Sequence, residues 1–182
     1  MNYADIKVMD IADGPGIRVS LFVSGCDHHC KGCFNSEAWD YNYGKLFKAE
    51  DEAKILNLLG PDYISGLTVL GGEPFAPKNV DKVYDFCSRV KNLYGDKKSI
   101  WIYSGYTFDQ IWRNYCGLSG IKLLRTADVL VDGKFVEELH NDALKFRGSS
   151  NQRIIDLKKT MNNISLSSLV DGIDKYIIEM EI

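Results

Sequence analysis

Short apolar runs bounded by turn formers alternate along this chain with stretches whose apolar positions recur every three or four residues. Ile17–Val23 is one such run, ending at Ser24-Gly25, and residues 67–70, 100–103 and 128–131 are others. Each is expected to be a strand. Between them, Ala53, Leu56 and Leu59, widened by Ile55 and Leu58, mark one face of a helix over 49–59 that stops at Gly60-Pro61. A second helix is expected from near Asn79, burying Val80, Val83, Tyr84, Cys87 and Val90, with Gly95 just past its end, where helices favour glycine. Thr107-Phe108-Asp109-Gln110 fits a capping box and opens a helix to about Tyr115. Strands alternating with helices predict an α/β fold with an open, mostly parallel sheet and outer crossover helices. Residues 145–151 form a polar Gly/Ser loop before the apolar run 154–157, and residues 160–168, rich in Asn and Ser, are expected to be a connector. In the last run, Tyr176, Ile178, Met180 and Ile182 alternate onto one face, which predicts an added edge strand over 176–182.

Length and composition narrow the class. The 182 residues suit one globular domain, with 45% hydrophobic and 26% charged positions and no internal repeat. The net charge of −3 supplies no basic excess to neutralise a phosphate backbone, so nucleic acid is not expected as a partner. No leader-like apolar segment opens the chain, and no run of about 18 apolar residues occurs. The chain therefore reads as a soluble cytoplasmic protein without a membrane span.

Five cysteines are present, and three of them, Cys26, Cys30 and Cys33, fall in the loop directly beyond the first apolar run. Open α/β sheets place their chemistry at the carboxyl ends of strands. In a reducing compartment such clustering suggests metal binding or catalysis. Three soft thiolates select an iron–sulfur cluster, zinc or copper(I). A cubane cluster used for electron transfer alone normally takes four cysteines, so three leave one iron open. A structural zinc site also wants four ligands, and His28 or His29 could complete one by bending back inside the loop. A second loop, Gly71-Gly72-Glu73-Pro74, follows the next apolar run. There, two glycines allow backbone amides to approach a ligand and a carboxylate can accept from an ammonium group.

A three-cysteine loop after one strand and a Gly-Gly-Glu segment after the next, in that order, resemble the radical S-adenosylmethionine superfamily. Asp13-Gly14-Pro15-Gly16-Ile17-Arg18 is similar to the segment found in activases of glycyl-radical enzymes. Residues 21–35, 101–106, 129–135 and 146–153 are similar to the activating-protein family of anaerobic ribonucleoside-triphosphate reductase.

The resemblance implies an incomplete (β/α)6 barrel of about six strands. It implies a core over residues 1–158, with residues 159–182 as an extension packed on the same domain. Cys26, Cys30 and Cys33 would hold three irons of a 4Fe-4S cluster, and S-adenosylmethionine would chelate the fourth. Gly71, Gly72 and Glu73 would hold its methionine end, and Gly32 and Phe34 would lie against its adenine. Reductive cleavage would give methionine and a 5′-deoxyadenosyl radical, which would take a hydrogen atom from a glycine of the partner reductase. The electron would come from a flavodoxin or thioredoxin-type reductant. Asp13 is a candidate contact for the incoming glycine loop, or else a turn cap. The alternatives are an activase of pyruvate formate-lyase or another glycyl-radical enzyme, a related enzyme acting on a small molecule, and a metal-binding protein without catalysis.

Among other residues, Cys87 and Cys116 are expected in the core. His28 and His29 are expected to face solvent or to support the loop from behind, and His140 to lie on a solvated face. Trp101 and Trp112 are expected in the core, while Trp39 either covers the cluster or simply packs. Arg147 to Asn151 could contact the cofactor, the partner or neither.

Overall fold

A computed structural model describes residues 1–164 and 173–182. Its centre is one seven-stranded open sheet in the order β3-β1-β2-β4-β5-β6-β7. The strands are β1 (Asn2–Asp10), β2 (Ile17–Val23), β3 (Lys45–Leu46), β4 (Ile64–Gly71), β5 (Ser99–Tyr103), β6 (Val129–Asp132) and β7 (Arg153–Asp156). The neighbours β2, β4, β5 and β6 are parallel, whereas β1, β3 and β7 join antiparallel. The helices are α1 (Ala49–Leu59), α2 (Val80–Tyr94), α3 (Phe108–Trp112), α4 (Gly117–Thr126) and α5 (Leu157–Asn163).

The parallel strands are the apolar runs of the sequence because both of their faces are covered. Alternate side chains go to opposite sides. Val19, Leu21, Leu67, Val69, Ile100, Ile102 and Leu130 pack with the helices in the main core. On the other face, Trp101, Val129, Val131 and Ile154 form a smaller cluster with Tyr103, Phe146 and Met180. Arg18 lies on this second face and is fully buried. Its guanidinium donates to Thr68 Oγ1 (2.7 Å), Leu67 O (2.7 Å), Ser99 O and Ser99 Oγ (both 3.0 Å) and Pro15 O (3.4 Å). It sits 5.6 Å from the Trp101 ring. On the helical side, Glu52 of α1 is buried and receives Lys82 and Arg89 of α2, the latter at 2.6 Å.

Several expectations change. β1 precedes the run taken as the first strand, so that run is the second. The helix from Thr107 keeps its capping box but ends at Trp112, and Asn114 (φ 70°) interrupts the chain before α4 opens at Gly117 (φ 71°). Residues 160–163 are not connector: they finish α5, whose first turn is capped by Asp156 accepting from the Lys159 amide (3.0 Å). Ile164 caps that helix, and the remainder of the stretch, 165–168, lies outside the described residues. In place of an edge strand over 176–182, a 3-10 turn at Ile173–Tyr176 leads to a single antiparallel bridge, Ile155 with Glu179. No helix among the described residues is long and apolar enough to cross a membrane.

Candidate functional site

The loops leaving the carboxyl ends of β2, β4, β5 and β6 meet around a cavity of about 380 Å³. Cys26, Cys30, Cys33 and Phe34 come from the first loop, Gly71, Gly72 and Glu73 from the second, Ser104 and Gly105 from the third, and Gly133 and Phe135 from the fourth. Asp13, Phe22, Trp39, Tyr103, Gly148 and Gln152 complete much of the wall. The structure thus brings together every residue singled out for chemistry except Gly32. That glycine turns with φ 72° on the exposed side of its loop, where a Cβ would meet Glu137 Oε1 at 2.9 Å.

The two motif loops are held to each other by their backbones. Gly72 N–H donates to Val23 O (2.7 Å) and Glu73 N–H to Gly25 O (2.8 Å). A Cβ on Gly72 would stand 2.6 Å from Gly25 O, and one on Gly71 (φ 106°) 2.8 Å from Val23 O. The glycines therefore serve the close approach of two loops. The Gly72 and Glu73 amides are thus taken and not available to a ligand as the sequence suggested. Asn79 reinforces the junction by donating to Ser24 O (2.9 Å) and Glu73 O (3.0 Å).

Glu73 is almost wholly buried. Its Oε1 accepts from Phe75 N–H and Ser104 Oγ–H, both at 2.9 Å, and its Oε2 from Gly105 N–H at 2.8 Å. His28 Nε2 lies 2.9 Å from the same Oε2. The His28 ring is packed 4.5 Å from that of Tyr106 and fills the space above Gly105, where a Cβ would stand 2.3 Å away. Of the two locations expected for His28, it takes the supporting one. His29 is exposed, with φ 47° and its ring 4.7 Å from Trp39.

Burial drives the Cys26 thiol up to about 11 and raises Cys30 in the same direction. Both thiols therefore hold their protons until a metal displaces them. Among the described residues, no three His, Cys, Asp or Glu side chains are gathered as ligands of one ion. Thiolates that each hold a different iron of a cubane stand further apart than that. The donor set of three soft sulfurs in one cavity wall fits an iron–sulfur cluster.

Asp13 is raised to about 7, first by burial and then by its hydrogen bond with Asp10, and its backbone is held by Thr68 Oγ1–H donating to Asp13 O (2.8 Å). Phe34, 78% exposed, forms a triangle with Phe135 and His140, with centroids 5.8 to 5.9 Å apart. His140 is thus part of the rim as well as solvated. Phe135 and Gln152 escaped the sequence reading. The signal was there in 146–152: Gln152 Oε1 accepts from the Gly148 and Ser149 amides while its Nε2 donates to Gly133 O (3.1 Å), folding that loop over the cavity.

Comparison with known proteins agrees with this centre. A family description, the 4Fe-4S single cluster domain, matches residues 12–155. The anaerobic ribonucleoside-triphosphate reductase-activating protein of Haemophilus influenzae is 41% identical over 156 residues, covering 85% of this chain and 97% of that protein. The chain belongs to that activating-protein family. The family's member from Enterobacteria phage T4 is 38% identical over 154 residues, covering 85% of this chain and 93% of its own. That from Escherichia coli K12 is 39% identical over 160 residues, covering 87% and 100%. The 4Fe-4S match takes in both the cysteine loop and the Gly-Gly-Glu segment.

Proposed function

We propose that this chain activates anaerobic ribonucleoside-triphosphate reductase by radical chemistry on S-adenosylmethionine. The observation that carries the reading is the convergence of the three-cysteine loop, the Gly-Gly-Glu segment and Asp13 on one cavity at the carboxyl ends of the parallel strands. Cys26, Cys30 and Cys33 would hold three irons and leave a fourth open. Bound there, the two groups would supply reductive cleavage of S-adenosylmethionine to methionine and a 5′-deoxyadenosyl radical, and the hydrogen atom would come from a glycine of the reductase.

The chain's own residues position and shield. With the Gly72 and Glu73 amides already spent, the Glu73 carboxylate and backbone carbonyls are the groups that would accept from the methionine ammonium. Phe34, with Phe135 and His140 beside it, offers a flat apolar surface for the adenine. Asp13 and the exposed Ala12 line the cavity and would meet an incoming protein loop. The open sheet is read as the incomplete barrel of the radical S-adenosylmethionine superfamily, with residues 1–158 as its core and 159–182 as an extension. A flavodoxin or thioredoxin-type protein is the proposed electron source.

The test is anaerobic electron paramagnetic resonance of the reconstituted, reduced chain with S-adenosylmethionine and the reductase of the same source. A glycyl-radical doublet that needs all three components is expected. Cys30→Ala should fold, fail to retain iron and give no doublet. A chain that cleaves S-adenosylmethionine yet leaves the reductase without a doublet would exclude that protein as the target, and cleavage persisting in Cys30→Ala would exclude the cluster role.

A further inference from the structure

β1 has a neighbour along one edge only for most of its length. It pairs with β2 from Tyr3 to Asp10, whereas β3 meets only Asn2 and Tyr3 on the other side. From Ala4 to Met9 no second strand, and no loop backbone among the described residues, pairs with that outer edge. The Ile6 amide is capped from within the strand by Asp5 Oδ1 at 2.8 Å, a local substitute for a ladder partner. Asp5, Lys7, Val8 and Met9 are exposed, Met9 by 65%. A free edge with apolar side chains is a template for another chain, which native proteins usually cover or guard with charge. Lys7, the charge in place to guard this one, is turned inward across the sheet, its Nζ 4.6 Å from the Phe22 ring of β2.

The surroundings of the edge show where an added chain would lead. A groove of about 470 Å³ is lined by Ala4, Asp5 and Lys7 of β1 and by Phe34, Glu37 and Tyr43 from the cysteine loop and the residues after it. Lys7, Phe22, Phe34 and Asn35 line both this groove and the site cavity. The free edge is thus continuous with the wall of the site. Strand addition holds an extended peptide through main-chain hydrogen bonds, with pockets beside the edge for its side chains. Recognition through the main chain suits a segment whose reacting residue, a glycine, has no side chain to grip.

We propose that the outer edge of β1, from Ala4 to Met9, receives an extended segment of the reductase next to its target glycine, as an added strand of the sheet. The assignment rests on the activase reading and adds to it the surface on which the reductase docks.

Amide hydrogen exchange resolved by residue tests it. The anaerobically reconstituted chain, with S-adenosylmethionine and no reductant, is compared alone and with the reductase of the same source. Strand addition should slow alternate amides between Ala4 and Met9 severalfold, because only the outward half of the edge gains partners. Slowing confined to other segments overturns the proposal. Even slowing of 4–9 together with the neighbouring loops marks cover without pairing and overturns it too. Slow exchange that grows with the concentration of the chain alone gives the edge to a second copy, with the same consequence. The double substitution Val8→Lys with Met9→Lys adds guarding charges at two exposed positions. It should retain as much iron as the parent and lose most of the slowing, and undiminished slowing overturns the proposal. Where the double variant retains less iron, the exchange pattern of the parent decides alone. No slowing anywhere, in a mixture that gives the glycyl-radical doublet once reductant is added, removes only the edge. Neither slowing nor doublet removes the activase reading and this assignment with it.

Discussion

His28 Nε2 lies 2.9 Å from Glu73 Oε2, joining the middle of the cysteine loop to the Gly-Gly-Glu segment. Through the same carboxylate both are joined to Ser104 and Gly105 beyond β5. Three strand ends thus share one buried acidic group whose two oxygens take four polar contacts, about as many as a carboxylate has lone pairs for. Glu73 is therefore a hub of the fold as well as a wall of the cavity. Whatever ligand it receives must share or displace one of these partners.

Substituting His28 separates the two contributions of its ring. His28→Phe keeps the contact with Tyr106 and loses the bond to Glu73, while His28→Gln keeps a donor and loses the ring. Removing a hydrogen bond to a charged group costs about 1.5–3 kcal/mol. Anaerobic denaturant unfolding should show that loss in His28→Phe and a smaller one in His28→Gln. The reverse ranking would make ring packing, and not the Glu73 contact, the role of His28.

Gly72→Ala tests the close approach of the two motif loops. The added methyl group would stand 2.6 Å from the Gly25 carbonyl, and backbone on both sides leaves no flexible side chain to give way. Overpacking of this kind costs about 1–3 kcal/mol. The variant should unfold at lower denaturant and retain less iron after reconstitution. Unchanged iron retention would show that the loops can part without losing the centre.

Arg18→Lys replaces a planar fork by a point charge. The parent guanidinium spreads its donors over Pro15, Leu67, Thr68 and Ser99, none of which carries a charge. A lysine can satisfy only part of that set and strands buried carbonyls. A destabilisation of at least about 2 kcal/mol is expected from unfolding curves. A loss within experimental error would mean that the groups around Arg18 repack freely.

Much of this arrangement was legible because it depends on short-range patterns. Ile17–Val23 shows as an unbroken apolar run since both faces of β2 are covered, and α2 shows through Val80, Val83, Cys87 and Val90 at helical spacing. The cysteine loop and the Gly-Gly-Glu segment could be placed side by side because parallel neighbours put their carboxyl ends together. β1 stayed hidden, since most of its nine residues are exposed or half-buried and its pairing is set by β2 across a turn. α4 stayed hidden because its first turn begins at a glycine with positive φ and buries only Gly120, Leu123 and Leu124. Within the site, a single imidazole in a short loop has no period to betray its direction. Only the packing of Glu73 and Gly105 around it fixes where His28 points.

Asp13 predicts a pH dependence of stability. Burial, followed by the hydrogen bond with Asp10, lifts it from 3.8 to about 7. Burial also pushes Asp10 up, but hydrogen bonds from Asp13 and from the Ala12 amide (2.9 Å) outweigh it and hold Asp10 below the usual range. Lys7 acts on both carboxyls and favours their charged forms. The pair keeps one proton, and it resides on Asp13. Between about pH 4 and 7 the folded chain binds that proton while the unfolded chain has lost it, so stability must fall as pH rises through this window and level off above it. Asp13→Asn, always neutral there, removes this slope. Melting of parent and variant compared from acid to neutral pH should show the difference shifting in favour of Asp13→Asn up to about pH 7 and then staying constant. A difference independent of pH would mean that Asp13 titrates as an ordinary surface carboxylate.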